Sequence, residues 1–202
     1  MLATTGWGAL GPLILTALAI MGSPGPATTS LVASGAAHGV RRSLPYLAGI
    51  VAGTTAVLLA VATGITAALL ALPVLEAVLL GASAVYVLWL AYHIATSPPL
   101  ADRTATSPAP SLAGGALLGV ANPKAWVAIA AVFASAHLSA GAVADAAAKT
   151  AALIPTIVLI NATWLLAGTS LAPLLRHPRR SRLVNRSLAV VLVAATAAAL
   201  VH

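Results

Sequence analysis

Cysteine is absent from this chain of 202 residues, and acidic side chains number only three. The first absence removes disulfides, thiolate nucleophiles and cysteine metal sites. The second removes the paired carboxylates used in acid–base hydrolysis and in membrane proton relays. Glu76, Asp102 and Asp145 all fall in expected loops or at expected helix ends. The five histidines are scattered and form no HExxH run. A membrane-embedded protease or hydrolase would need such a set, or a Ser/His pair, or two acids. We therefore expect no catalysis, no metal and no cofactor.

Charge is scarce as well. Charged residues make up 6% of the chain and hydrophobic ones 60%, against roughly 25% charged in a soluble domain. The apolar runs reach about 20 residues, enough for a spanning helix, whereas barrel strands would show short alternating segments. The composition predicts an all-α integral membrane protein with about six spans and no separate soluble domain. The net charge of +7 comes from basic residues in short loops between spans. That is the positive-inside pattern, not a nucleic-acid surface. No basic segment precedes the first apolar run, so it reads as a retained helix rather than a cleaved signal.

Six spans are expected. Span 1 runs from Trp7 to Ala37 and is interrupted at Pro24–Pro26, with a basic turn at His38, Arg41 and Arg42. Span 2 covers Leu44 to Leu72 and carries Gly49, Gly53 and Gly64, whose small size suits close helix packing. Span 3, Val74 to Ile94, ends in Tyr86, Trp89, Tyr92 and His93, an interfacial belt. A polar, proline-rich linker over 96–111 separates two halves, about 1–95 and 112–202, of a single transmembrane domain. Span 4, Leu112 to Ala136, is interrupted at Asn122-Pro123-Lys124. A loop with His137, Asp145 and Lys149 leads to span 5, Thr150 to Leu171, with Asn161 and Trp164. Five arginines between Arg176 and Arg186 precede span 6, Leu183 to Val201. Arginines follow spans 1, 3 and 5, and the opposite side has only Lys149, so both termini are expected outside the cytoplasm.

The two interruptions occupy the first span of each half. A proline inside a helix removes a hydrogen bond and costs about 3 kcal/mol. In hydrocarbon the freed carbonyls find no water, so a break persists only where protein or a wet cavity covers it. Pro26 and Pro123 are 97 residues apart, and the two spans enter from opposite sides. This predicts two inverted three-helix repeats with a solute site between the broken helices, as in many secondary transporters. The expected site comprises Pro24, Gly25, Pro26, Ala27, Thr28, Asn122, Pro123, Lys124 and Asn161. Amides at the restarted helices attract a carboxylate, with Lys124 assisting. Carbonyls above Pro24 and Pro123 receive an ammonium group, and the asparagines add neutral hydrogen bonds. Lys124 also reads as a snorkelling side chain, but a lysine deep in the bilayer costs about 2.5–3.5 kcal/mol and points to function.

The runs Pro24-Gly25-Pro26, Gly39 with Arg42, Gly49-Ile50 with Gly53, Ala84 to Leu90, Asn122-Pro123-Lys124-Ala125 and Asn185-Arg186 carry a resemblance. Over nearly its whole length the chain resembles the LysE/RhtB superfamily of amino-acid exporters. That resemblance implies export of amino acids or close derivatives across a bacterial inner membrane, usually by proton antiport. The chain departs from the pattern at Ala27, where relatives place Asp or Asn, and at Val57, where many carry histidine. Export of another small solute or cation, or a passive channel, stands as the alternative. The expected partners are a small-molecule solute and membrane lipid. Small residues in spans 2 and 6 suit either a homodimer or internal packing.

Overall fold

The computed structural model describes residues 7–64 and 110–175 without interruption, with scattered positions between 81 and 96 and between 179 and 194. Five helices run through these residues: α1 (Trp7–Met21), α2 (Pro26–Ala62), α3 (Leu112–Ala121), α4 (Pro123–Ala134) and α5 (Ala142–Leu175). All are apolar. α2 and the stretch Ala142–Ser170 of α5 are each long enough to cross a membrane, and α3 with α4 forms a third crossing if the bent pair counts as one. Most of spans 3 and 6, most of the polar linker, and Glu76, Asp102, Arg103, His93, Asn185, Arg176 and Arg180 lie outside the described residues.

α1 ends where expected. Its 15 residues give a rise of about 22 Å, short of a hydrocarbon core of about 30 Å. With 37 residues, α2 is correspondingly too long for one span, and it turns at Gly39 (φ 74°, ψ 175°). Only glycine adopts that backbone conformation without strain. The turn is sharp. Tyr46 Oη donates to Ser30 Oγ at 3.0 Å, and the hydroxyls of Ser34 and Ser43 meet at 2.8 Å. In a straight helix residues 30 and 46 would stand about 24 Å apart. α2 is therefore a helical hairpin, with a first arm to His38 and a second arm from Val40. The basic turn expected at His38–Arg42 is compressed into one glycine.

The hairpin is held by close backbone contact. On the second arm, Gly49 and Gly53 lie against Leu112 and Ala116 of α3, and a methyl on either would overlap those carbonyls. α3 answers with Gly115 and Gly119, which lie against Tyr46, Ile50 and Thr54. Two GxxxG pairs thus interlock, where the sequence reading had drawn on only one of them. On the first arm, Gly35 meets Leu165 while Gly168 of α5 meets Val32. In lipid such contacts matter because no hydrophobic force brings helices together, leaving dispersion and weak hydrogen bonds. Gly64 does something else. It has open space around it and φ 71°, and it terminates α2 just after Ala62 rather than near Leu72.

The apolar core has two centres. Leu13 and Ala17 of α1, Val57 and Leu58 of α2, Ala125, Ile129 and Val132 of α4, and Leu153 and Ile157 of α5 form one. Leu31, Tyr46, Ile50, Leu118 and Leu165 form the other, with Ala27. α5 starts eight residues earlier than its expected beginning at Thr150 because its first turns contain an internal ion pair. Asp145 Oδ2 lies 2.7 Å from Lys149 Nζ, and Oδ1 accepts the amides of Leu138 and Ser139 at 2.5 and 3.1 Å. Lys149 also donates to the Phe133 carbonyl at 2.7 Å and lies 4.8 Å over its ring. With side chains 10% and 3% exposed, these residues belong to the helix and not to a solvated loop.

The glycine interlock generates a stability prediction. Gly119→Ala should destabilise the purified protein by about 1–3 kcal/mol, the cost of forcing apart packed backbones. Gly11→Ala, in open space within α1, should be neutral or stabilising by about 0.5–1 kcal/mol. Thermal unfolding in detergent measures both, and equal shifts would contradict the interlock.

Candidate functional site

The first break spans Gly22 to Gly25. Pro24 and Pro26 cannot donate to the preceding turn, so the ladder of α1 stops and α2 restarts with Pro26 at its first position. Gly25 caps the new helix in an extended conformation. Its amide donates to Thr28 Oγ1 at 2.8 Å, and the same hydroxyl donates back to the Gly25 carbonyl at 3.0 Å. Thr29 adds amide and hydroxyl donors to that carbonyl at 2.9 and 2.8 Å.

The carbonyls above the break are also partnered, by distant side chains. Trp164 Nε1 of α5 donates to the Gly22 carbonyl at 3.0 Å. Lys124 Nζ of α4 donates to the Ser23 carbonyl and, at 3.3 Å, to that of Pro24. At the first break, where carbonyls are expected to stand free for an ammonium group, the ammonium of Lys124 holds two of them.

The second break is tighter. α3 ends at Ala121, α4 starts at Pro123, and their axes differ by 59°. Trp126 Nε1 donates to the freed Val120 carbonyl at 2.7 Å. Each break is thus closed by an indole N–H, which the sequence reading did not anticipate. Asn122 stands at the cap position of α4, where asparagine normally accepts a helix amide. It makes no such bond. Its Oδ1 is buried without a hydrogen-bond partner among the described residues, and the residue is 6% exposed. A buried acceptor left unpaired costs about 1–3 kcal/mol.

The breaks border a half-open cavity of about 40 Å³, room for a few water molecules. Of the nine expected site residues, Gly25, Ala27, Thr28, Asn122, Lys124 and Asn161 line it. Pro24, Pro26 and Pro123 do not line it; they make the breaks that form it. Met21, Thr54, Ala125, Ala128, Ile157 and Ile160 complete the wall. Thr54 was missed, and the available signal was a hydroxyl next to Gly53 in an apolar helix. Asn161 Nδ2 donates one of its two hydrogens to the Ile157 carbonyl at 2.8 Å. Val57 is core, packed among Leu13 and Ile157.

The electrostatics follow from the backbone. The N-terminal ends of α2 and α4 both meet the cavity, each with a partial positive charge. Lys124 adds a full one, and no carboxylate lines the wall. Asn122 Oδ1 supplies an acceptor without a partner among the described residues. The helix starts and Lys124 favour an anionic group, and Asn122 Oδ1 can accept a hydrogen bond from a donor.

Three comparisons with known proteins bear on this arrangement. The family described as LysE type translocator matches residues 18–202. A cysteine/O-acetylserine efflux protein of Escherichia coli is 39% identical over 87 residues, which is 43% of this chain and 44% of the relative. A protein of the same name from Salmonella typhimurium is 36% identical over 96 residues, 47% of each chain. The chain spans about half the length of the curated relatives it matches. No solved structure matches it.

If the indoles close the breaks, Trp164→Phe should keep the ring packing but leave the Gly22 carbonyl bare. It should lower stability by about 1–3 kcal/mol, and Trp126→Phe should do the same for Val120. Unchanged melting temperatures for both variants would mean that water already serves these carbonyls.

Proposed function

This chain belongs to the LysE type translocator family, and from that premise we propose that it exports small amino acids or their close derivatives across a bacterial inner membrane. The observation carrying this reading is the meeting of two helix breaks around one small cavity, with a lysine bridging them. The solute's carboxylate sits at the amides of Ala27 and Thr28 and at the start of α4, where helix termini favour anions. Lys124 adds its charge there. Asn122 and Asn161 supply neutral hydrogen bonds, and Pro24, Pro26 and Pro123 keep the backbone open. The relatives' names, cysteine/O-acetylserine efflux protein, suit a solute of this size and charge.

The architecture we propose is six spans in two inverted three-helix repeats. The packing supports it. Under that symmetry α1 corresponds to α3, the first arm of α2 to α4, and its second arm to α5. α1 packs on α5 as α3 packs on the second arm of α2. The first arm packs on α5 as α4 packs on the second arm. Alternating access then follows from rocking one set against the other around the breaks. Export against a gradient needs an ion, and inward proton flow is the drive we propose. Arg41 and Arg42 mark the cytoplasmic side, with both termini outside.

Counterflow tests the reading. Proteoliposomes preloaded with one unlabelled solute should accumulate the same solute in labelled form, for at least one member of a panel of small neutral amino acids and O-acetylserine. Asn122→Ala should cut the rate about 10- to 100-fold, the value of one hydrogen bond to a charged group. A pore would equilibrate label without accumulation, and no uptake of any panel member would contradict amino-acid export.

A further inference from the structure

We propose that Lys124 is a tethered occupant of the solute site: its ammonium holds the Ser23 and Pro24 carbonyls that receive the amino group of an arriving amino acid, and it leaves them when the solute binds. The inference rests on the reading of the cavity as the transport site.

Several features converge on it. The Ser23 and Pro24 carbonyls lie in the break, outside the hydrogen-bond ladders of α1 and α2, and Lys124 Nζ is the donor they share. The stem of Lys124 lies across Gly25. A Cβ built on Gly25 would come within 2.6 Å of Lys124 Cδ. The lysine therefore covers the cap of α2, the helix end that attracts a carboxylate. Lys124 itself lines the cavity, so a solute that reaches the start of α2 meets the lysine there. Asn122 Oδ1 waits in the same cavity as a buried acceptor without a partner. An incoming amine would give that acceptor a donor.

Displacement keeps the charges balanced. An ammonium replaces an ammonium on the Ser23 and Pro24 carbonyls, and the released Lys124 meets the solute's carboxylate at the start of α2. When the solute departs, the lysine returns, so the freed carbonyls of the first break are never left bare in the membrane. Specificity follows. A solute needs both an amine to take the seat and a carboxylate to hold the displaced lysine.

The test separates the two halves of the solute. Ethylamine carries the amine alone and propionate the carboxylate alone, and titration calorimetry on the purified full chain reads both. Lys124→Met vacates the seat. Gly25→Ala pushes the lysine off it while keeping the charge, and at φ −169° its backbone accepts any residue. Both variants should bind ethylamine about tenfold more tightly than the wild type, the gain when a seat filled nine-tenths of the time is emptied. Propionate binding should weaken in Lys124→Met and persist in Gly25→Ala. Equal ethylamine affinity in all three proteins, with wild-type counterflow intact, overturns the tethered lysine while leaving the transport reading in place. Absence of counterflow by the wild type overturns both.

Discussion

The constraint on which this structure depends is that hydrocarbon offers no hydrogen bonds to a broken backbone. Two interruptions in one small membrane protein release several carbonyls, and each needs a donor. The chain supplies them from elsewhere in the sequence: Trp164 for Gly22, Lys124 for Ser23 and Pro24, Trp126 for Val120. These bonds do two things at once. They make the breaks tolerable, and they pull the breaks together, because Lys124 at one break is the donor for the other. The cavity is a consequence of satisfying the backbone. Its unusual group is Asn122 Oδ1, buried without a hydrogen-bond partner among the described residues.

Bringing the breaks together also depends on how closely the helices approach. The paired glycines of α2 and α3 remove side chains from the crossing, so the second arm of α2 and the helix before the second break touch along their backbones. That contact puts Thr54 into the cavity wall beside Asn122. The Gly39 turn folds the first arm back along the second, and hydroxyl pairs across the hairpin fix the angle. Packing, turn and site are therefore coupled. A larger residue at Gly53 or Gly119 would change the cavity as well as the stability.

Much of this was legible because the decisive features are local. A proline lacks its N–H whatever surrounds it, so both breaks and the restart at Pro26 and Pro123 follow from the sequence. The residues that flank them line the cavity for the same reason. What was not legible is non-local. Nothing near Gly22 in the sequence points to Trp164, and the partner of Lys124 lies about 100 residues away. Charge misled at α5: Asp145 and Lys149 read as loop residues, but their pairing lets them be buried inside a helix. Apolarity misled at the end of α2, where the run continues to Leu72 while the positive φ of Gly64 ends the helix near Ala62.

The central claim is that both breaks face one solute at the same time. The natural absence of cysteine allows a direct measurement: single cysteines at Ala27, just past the first break, and at Ala128, one turn past the second, each probed with a small thiol reagent in membrane vesicles. A solute that shows counterflow should slow labelling of Ala27→Cys and Ala128→Cys over the same concentration range. Labelling of both at unchanged rates in the presence of a transported solute would contradict the account.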